Sequence, residues 1–317
     1  MPLWRGLSGG ENSLEKPVLP LYKRAARLSA FAAVCLYLGL SPYVLFQRFE
    51  FFPLKVSSYQ VPAVVKDLTR EEVSFDAGNG CRLSGWYFAR PQAGYTVILH
   101  HGQGSNISFD GYCETAAVLV RAGASVLLYD YEGFGKSEGR PSNEALSRDA
   151  LAAYEYLCRR GVRGESIVHL GLSLGTGAAS RVASCKPCAG LILVSPYLSL
   201  SRVAAHHLPY LNIYPEFLYP QPDLGSKCLT AFRKPVMIFH AAGDRLLPVD
   251  QADELAAGLR RQGCRVEYYR LMQEGHLGAL SAAESDTACG AVAICRQFLK
   301  NLDSSPNEPA MAIKYSP

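Results

Sequence analysis

The sequence is short of the features that mark metal-binding, nucleic-acid-binding and repeat proteins. It has ten cysteines among 317 residues, but no C-x-x-C pair recurs at zinc spacing, which sets aside a ribbon or finger zinc site. The lone Cys185-Lys186-Pro187-Cys188 does not open a thioredoxin-like helix and reads as structural thiols. His206-His207 lacks a third ligand at helical spacing, so no metal is expected. No basic block carries interleaved aromatics, and a formal charge of +4 is spread along the chain; a nucleic-acid partner is not suggested. Internal repeats are absent. Charged residues make up only 19% and hydrophobic ones 49%, which suits one large domain with a substantial core.

What is present is most specific at Gly171-Leu172-Ser173-Leu174-Gly175. The apolar run Ile167-Val168-His169-Leu170 precedes it as a buried strand, and the Ala-rich stretch from Leu174 to Ser184 follows as a helix. A serine in a sharp strand-to-helix turn is held in a strained conformation, and flanking glycines remove the Cβ atoms that would clash. Its hydroxyl is thereby pushed into the open, ahead of a helix N-terminus. Alone, the pentapeptide is equally compatible with a glycine-rich loop.

A nucleophilic serine needs a base, an orienter for the base and donors for the oxyanion. Asp244 follows the apolar strand Val236-Met237-Ile238-Phe239, and His276 follows the strand Val266 to Leu271. Both stand at C-terminal strand ends, where open parallel sheets place their sites. Asp250 belongs rather to the first turn of the next helix, and Asp130 to the turn around Gly133–Gly135. The strand Tyr95 to Leu99 runs into His100-His101-Gly102-Gln103. The N–H groups of Gln103 and Leu174 are the expected oxyanion donors, and His101 the residue that shapes the turn.

The remaining pattern is βα alternation. Glu71–Phe75 and Cys81–Phe88 flank the turn signal Asp76 to Gly80 and predict a hairpin. Short apolar strands follow near Thr96–Leu99, Ser125–Tyr129, Ile167–Leu170, Leu191–Val194, Val236–Phe239 and Val266–Tyr269. Helical patterns at Asn143–Leu157, Asp250–Arg261 and Ala288–Leu302 lie between or after them. This predicts a mostly parallel α/β sheet with helices on both faces. Residues 53–70 read as a linker, and those after Asp303 as a disordered tail. Residues 196–227 are rich in Tyr, Pro and Leu and read as a cap inserted after the sixth parallel-sheet strand. Tyr197, Leu208, Tyr210, Ile213, Tyr214, Phe217, Leu218 and Tyr219 within it either line an acyl pocket or pack the insertion onto the body.

Leu28 to Phe46 is 19 residues without a charge, long enough as a helix to span about 28 Å, close to the hydrocarbon core of a bilayer. Arg24 and Arg27 precede it, Arg48 follows, and Tyr43, Phe46, Phe49, Phe51 and Phe52 suit an interfacial belt. A cleaved signal peptide and a soluble or interfacial helix are the rivals. No clear A-x-A site follows the run, and Gly39 and Pro42 weaken it as a span. The expected organisation is residues 1–24 as a polar segment, 25–52 as a membrane anchor, 53–302 as the catalytic domain and 303–317 as the tail. The excess of positive charge before the anchor places the N-terminus in the cytoplasm and the catalytic domain on the far side. Ten unpatterned cysteines favour a reducing compartment instead.

Four segments in order resemble those of the α/β-hydrolases, over about Val73 to Leu302. They are the His101-Gly102 turn, Asp130-Tyr131-Glu132-Gly133-Phe134-Gly135-Lys136-Ser137, the Ser173 elbow, and the Asp244 and His276 loops. With the N-terminal segment, the chain is most similar to membrane-anchored serine hydrolases of the monoacylglycerol-lipase and lysophospholipase-like type. The resemblance implies an α/β-hydrolase fold and cleavage of a lipophilic acyl substrate by Ser173, His276 and Asp244 without a cofactor. A peptidase of the same fold and a non-catalytic binding module are the alternatives.

Overall fold

The computed structural model describes residues 21–41, 52–219, 226–272, 275–276, 290–303 and 314–315. In chain order the elements are α1 (Leu21–Gly39), β1 (Phe52–Pro53), β2 (Glu71–Asp76), β3 (Arg82–Phe88), β4 (Thr96–His100), β5 (Gly104–Ser105), α2 (Asp110–Ala122), β6 (Ser125–Tyr129), α3 (Asn143–Arg159), β7 (Ile167–Leu172), α4 (Gly175–Cys185), β8 (Gly190–Val194), α5 (Leu200–His207), β9 (Val236–Ala241), α6 (Val249–Arg261), β10 (Val266–Leu271), α7 (Gly290–Lys300) and β11 (Lys314–Tyr315).

Strands β4, β6, β7, β8 and β9 in the sheet centre are mostly apolar and buried at every position. Only a sheet covered on both faces rewards that pattern, and parallel strands joined by helices are covered that way. Among the described residues the sheet has nine strands in the order β11-β10-β9-β8-β7-β4-β6-β3-β2. All neighbours are parallel except β2–β3 and β3–β6. One face packs Val97, Leu99 and Val126 against Ala116 of α2 and Phe298 of α7. The other packs Ile98 and Leu127 against Ala153 and Leu157 of α3, and Ile238 against Leu255 of α6. Edge strand β2 alternates exposed and buried residues, as a half-covered strand should.

The strand order positions the site. From β4 the chain turns by α2 to β6 on one side, then crosses by α3 to β7 on the other. The connections after β4 and β7 therefore leave in opposite directions and open a crevice at their C-terminal ends.

Three expectations are corrected. First, residues 53–70 are a strap rather than a linker. Phe52–Pro53 pairs with Gly104–Ser105, Lys55 bridges Gly135, and Val65 is fully buried. Second, the described N-terminal helix is displaced from the expected span. α1 begins at Leu21, includes Lys23, Arg24 and Arg27, and ends at Gly39, while 42–46 lie outside the described residues. Among the described residues no helix is long and apolar enough to cross a membrane. The residue before a proline is pushed out of the helical region, so Pro42 opposes continuation through Ser41. Third, the cap follows the fourth parallel strand, β8, and is the sixth connection only if the hairpin strands are counted. It contains α5 and 3-10 turns at Pro209–Ile213 and Glu216–Leu218. The expected tail falls mostly outside the described residues, but Lys314–Tyr315 pairs with β10.

Candidate active site

Ser173 follows β7 with a φ of +51°, a left-handed conformation that costs a non-glycine residue about 1–3 kcal/mol. Its N–H donates to Val194 O at 2.9 Å, which ties the turn to β8. The flanking glycines are required by contact. A Cβ on Gly175 would lie 2.0 Å from His100 O, and one on Gly171 would lie 2.4 Å from Thr176 Cα. The sharp turn thus presses the start of α4 against the end of β4, and only hydrogen fits in both gaps.

The three residues selected from the sequence meet. His276 Nε2 lies 2.7 Å from Ser173 Oγ, and His276 Nδ1 lies 2.7 Å from Asp244 Oδ2. With Asp244 ionised, Nδ1–H donates to it and Nε2 is left to accept the serine proton. Asp244 Oδ1 accepts the N–H groups of Leu246 at 2.9 Å and Leu247 at 3.0 Å. Burial pushes the Asp244 carboxyl up. The His276 hydrogen bond and charge, with the Leu247 N–H, outweigh that and hold it below the usual carboxylate range. His240 Nε2 donates to Leu247 O at 2.9 Å and so braces the same loop; burial pulls its pKa down and keeps it neutral.

Gln103 lines the same cleft as Ser173, and Leu174 follows the serine in the chain. A Cβ on Gly102 would sit 3.7 Å from Ser173 Cβ, and Leu174 caps the N-terminus of α4. Among the described residues neither the Gln103 nor the Leu174 N–H donates to a protein acceptor. The turn that carries Gln103 is held from behind. His101 Nδ1 donates to Gly102 O at 2.8 Å, and Tyr131 Oη donates to His101 O at 3.0 Å. Burial lowers the His101 pKa to about 4. Asp130 accepts the Ile107 N–H at 2.9 Å and the Tyr59 hydroxyl at 2.6 Å, with Gly135 packed against its carboxylate. It braces the expected turn and the segment at Ile107 together. Burial pushes its pKa up to about 7, against the opposing Tyr59 and Ile107 hydrogen bonds.

A cleft of about 300 Å³ opens on Ser173 and His276 and is walled by Gln103, Phe109, Tyr112 and Leu246. A second cavity of about 530 Å³, between the strap and the start of α2, shares Ser105 and Phe109 with it. None of the aromatic cap residues singled out above lines the first cleft. Tyr197, Tyr214 and Tyr219 are buried within or beneath the cap, whereas Tyr210, Ile213 and Phe217 face outward. His207 Nε2 donates to Leu246 O at 2.8 Å, which links the cap to the cleft wall. Among the described residues no cluster of three or more His, Cys, Asp or Glu could hold a metal ion. Cys185 is exposed, Cys188 buried, and both are free. Sequence reasoning missed Ser195, Tyr59 and Leu246. Ser195 bonds to the His276 main chain, Tyr59 to Asp130, and Leu246 walls the cleft, each joining segments far apart in sequence that no spacing rule marks.

The chain belongs to the α/β-hydrolase family. The family described as Serine aminopeptidase, S33 matches residues 91–222. The uncharacterized protein MT2364 of Mycobacterium tuberculosis is 33% identical over 242 residues, covering 74% of this chain and 84% of that one. Alpha/beta hydrolase domain-containing protein 17C of Homo sapiens is 32% identical over 186 residues, 57% of this chain and 54% of its own. Among solved structures, the Pyrococcus furiosus esterase Pf2001 superposes with a TM-score of 0.63 at 22% identity, covering 78% of this chain and 98% of that one. At that identity the likeness is one of fold.

Proposed function

We propose that this chain is a serine hydrolase that cleaves an acyl ester of a lipophilic substrate. One observation carries the reading: a serine in a strained left-handed turn within 2.7 Å of an imidazole that is itself 2.7 Å from a buried carboxylate. Ser173 Oγ attacks the acyl carbon as its proton passes to His276 Nε2. Asp244 holds the imidazole in the tautomer that accepts it. The N–H groups of Gln103 and Leu174 stabilise the oxyanion, each worth roughly 3–4 kcal/mol in the transition state. Collapse breaks the bond to the leaving oxygen, which takes the proton from Nε2. Water then repeats the cycle and frees Ser173. No cofactor enters these steps.

The Phe109, Tyr112 and Leu246 walls of the cleft support an apolar acyl group. Membrane attachment through the N-terminal segment belongs to the same proposal. The exposed Leu28, Phe31, Val34, Leu36 and Leu38 of α1, beside Lys23, Arg24 and Arg27, support it. The orientation proposed places the N-terminus in the cytoplasm.

The reading is tested with p-nitrophenyl esters of graded chain length. Wild type should hydrolyse them with a preference for longer chains, and Ser173→Ala should lose on the order of 10⁶ in kcat with an unchanged circular dichroism spectrum. Near-wild-type turnover by the folded variant would remove Ser173 from the mechanism.

A further inference from the structure

We infer that Ser195 is a positioning residue that holds His276 in register with Ser173; this rests on the triad reading above. Ser195 follows β8 and is fully buried. Its Oγ donates to the main-chain carbonyl of His276 at 2.8 Å. Its N–H donates to Phe239 O of β9 at 2.8 Å, and the adjoining Val194 O accepts the Ser173 N–H at 2.9 Å. One dipeptide at the end of β8 therefore touches the nucleophile's turn, the strand that leads to Asp244, and the backbone of the base.

The base needs such a tie more than its partners do. Ser173 sits between β7 and α4, and Asp244 is fixed through Oδ1 by two backbone N–H groups. His276 lies in a loop beyond the end of β10. Its ring bonds to Asp244 and Ser173 fix the tautomer and tilt, not the main chain. Among the described residues the Ser195 hydroxyl ties that main chain to the sheet.

The residue type at position 195 supports this role. Ser195 has a φ of +48°, a region that glycine adopts without strain and serine does not. Were backbone freedom alone needed, glycine would serve better. The hydroxyl is the feature that serine adds, and it reaches the catalytic loop. Neighbouring strands β7 and β8 thus end in two strained serines, one that attacks and one that positions the base.

The experiment compares Ser195→Gly and Ser195→Ala with wild type by steady-state kinetics on a short p-nitrophenyl ester, by thermal melting, and by the rate of Ser173 labelling with a fluorophosphonate. Ser195→Gly removes both strain and hydroxyl. It should melt at or above the wild-type temperature while kcat and the labelling rate fall between about tenfold and a hundredfold, with KM within about twofold. Ser195→Ala, which keeps the strain, should lose the same factor in kcat; if it does not fold, Ser195→Gly decides alone. A kcat for Ser195→Gly within about twofold of wild type would overturn the inference, and so would a loss of kcat matched by a fall in melting temperature. Full activity in Ser195→Gly beside a dead Ser173→Ala overturns this role and leaves the triad standing. Full activity in Ser173→Ala overturns the triad itself.

Discussion

At the C-terminal ends of β7, β8 and β9, Ser173, Ser195 and Asp244 are buried and hydrogen-bonded. Asp244 spends both oxygens on hydrogen bonds, Ser195 reaches His276, and Ser173 stands in a conformation that only dense surroundings can enforce. The cap and α1 follow the opposite rule. Ile213 is 66% exposed, Phe217 76% and Leu36 64%, and the two regions meet through stacked Tyr37 and Tyr214 rings with centroids 4.5 Å apart. The sheet edge places expensive polar groups where chemistry needs them. Among the described residues, nothing covers these apolar groups of the cap and α1. Such exposed apolar surface is a mark of contact with something else. The first region therefore carries the proposed reaction, and the second the proposed contact with a lipophilic substrate or a membrane.

The largest expected break falls on the sheet edge. Asp244→Asn keeps the size of the side chain and frees the wrong imidazole tautomer, so kcat should drop about 10⁴-fold with the fold intact. Steady-state kinetics beside a melting curve would show it. A loss below about tenfold would mean that Asp244 braces the loop without orienting the base.

A smaller effect comes from pH. Burial raises the Asp130 pKa from 3.8 to about 7, so ionising it costs the folded state more than the unfolded one. The stability that Asp130 contributes is fully present below its unfolded value and is lost as pH rises through about 7. Asp244, held below the usual range, acts with the opposite sign and loses its contribution as pH falls. Between pH 4 and pH 8, Asp130→Asn should therefore gain stability relative to wild type, by a few kcal/mol in order of magnitude. Melting curves at several pH values check this, and a pH-independent difference would contradict it.

The smallest effect falls on the cap. Ile213→Ser and Phe217→Ser should change stability by no more than about 0.5 kcal/mol, because both side chains already face solvent. They should weaken binding to lipid vesicles and raise the KM for long-chain esters presented in them, with soluble short esters unaffected. Equal losses on both substrate types would merge the two regions into one.

The same contrast explains what was legible in the sequence. The elbow was, because Gly171 and Gly175 stand two residues either side of Ser173, where hard contacts exclude a Cβ. Asp244 and His276 were, because each follows an apolar strand and chain order restricts the choice. Ser195 was not, since its conformation and its bond to His276 arise from packing between strands far apart in sequence. The strap at 53–70 misled because its pairing partners lie at Gly104–Ser105 and Gly135. In the cap, composition alone did not separate Tyr214 and Tyr219, which are buried, from Ile213 and Phe217, which are not.

The central claim is that Ser173 is the activated nucleophile, and covalent labelling tests it most directly. The purified full-length protein is treated with a fluorophosphonate and the modified residue identified by peptide mass spectrometry. Labelling should give one adduct per chain, on Ser173, which disappears in Ser173→Ala and forms far more slowly in His276→Ala. Absence of labelling in folded protein, or an adduct on another serine that persists in Ser173→Ala, would contradict it.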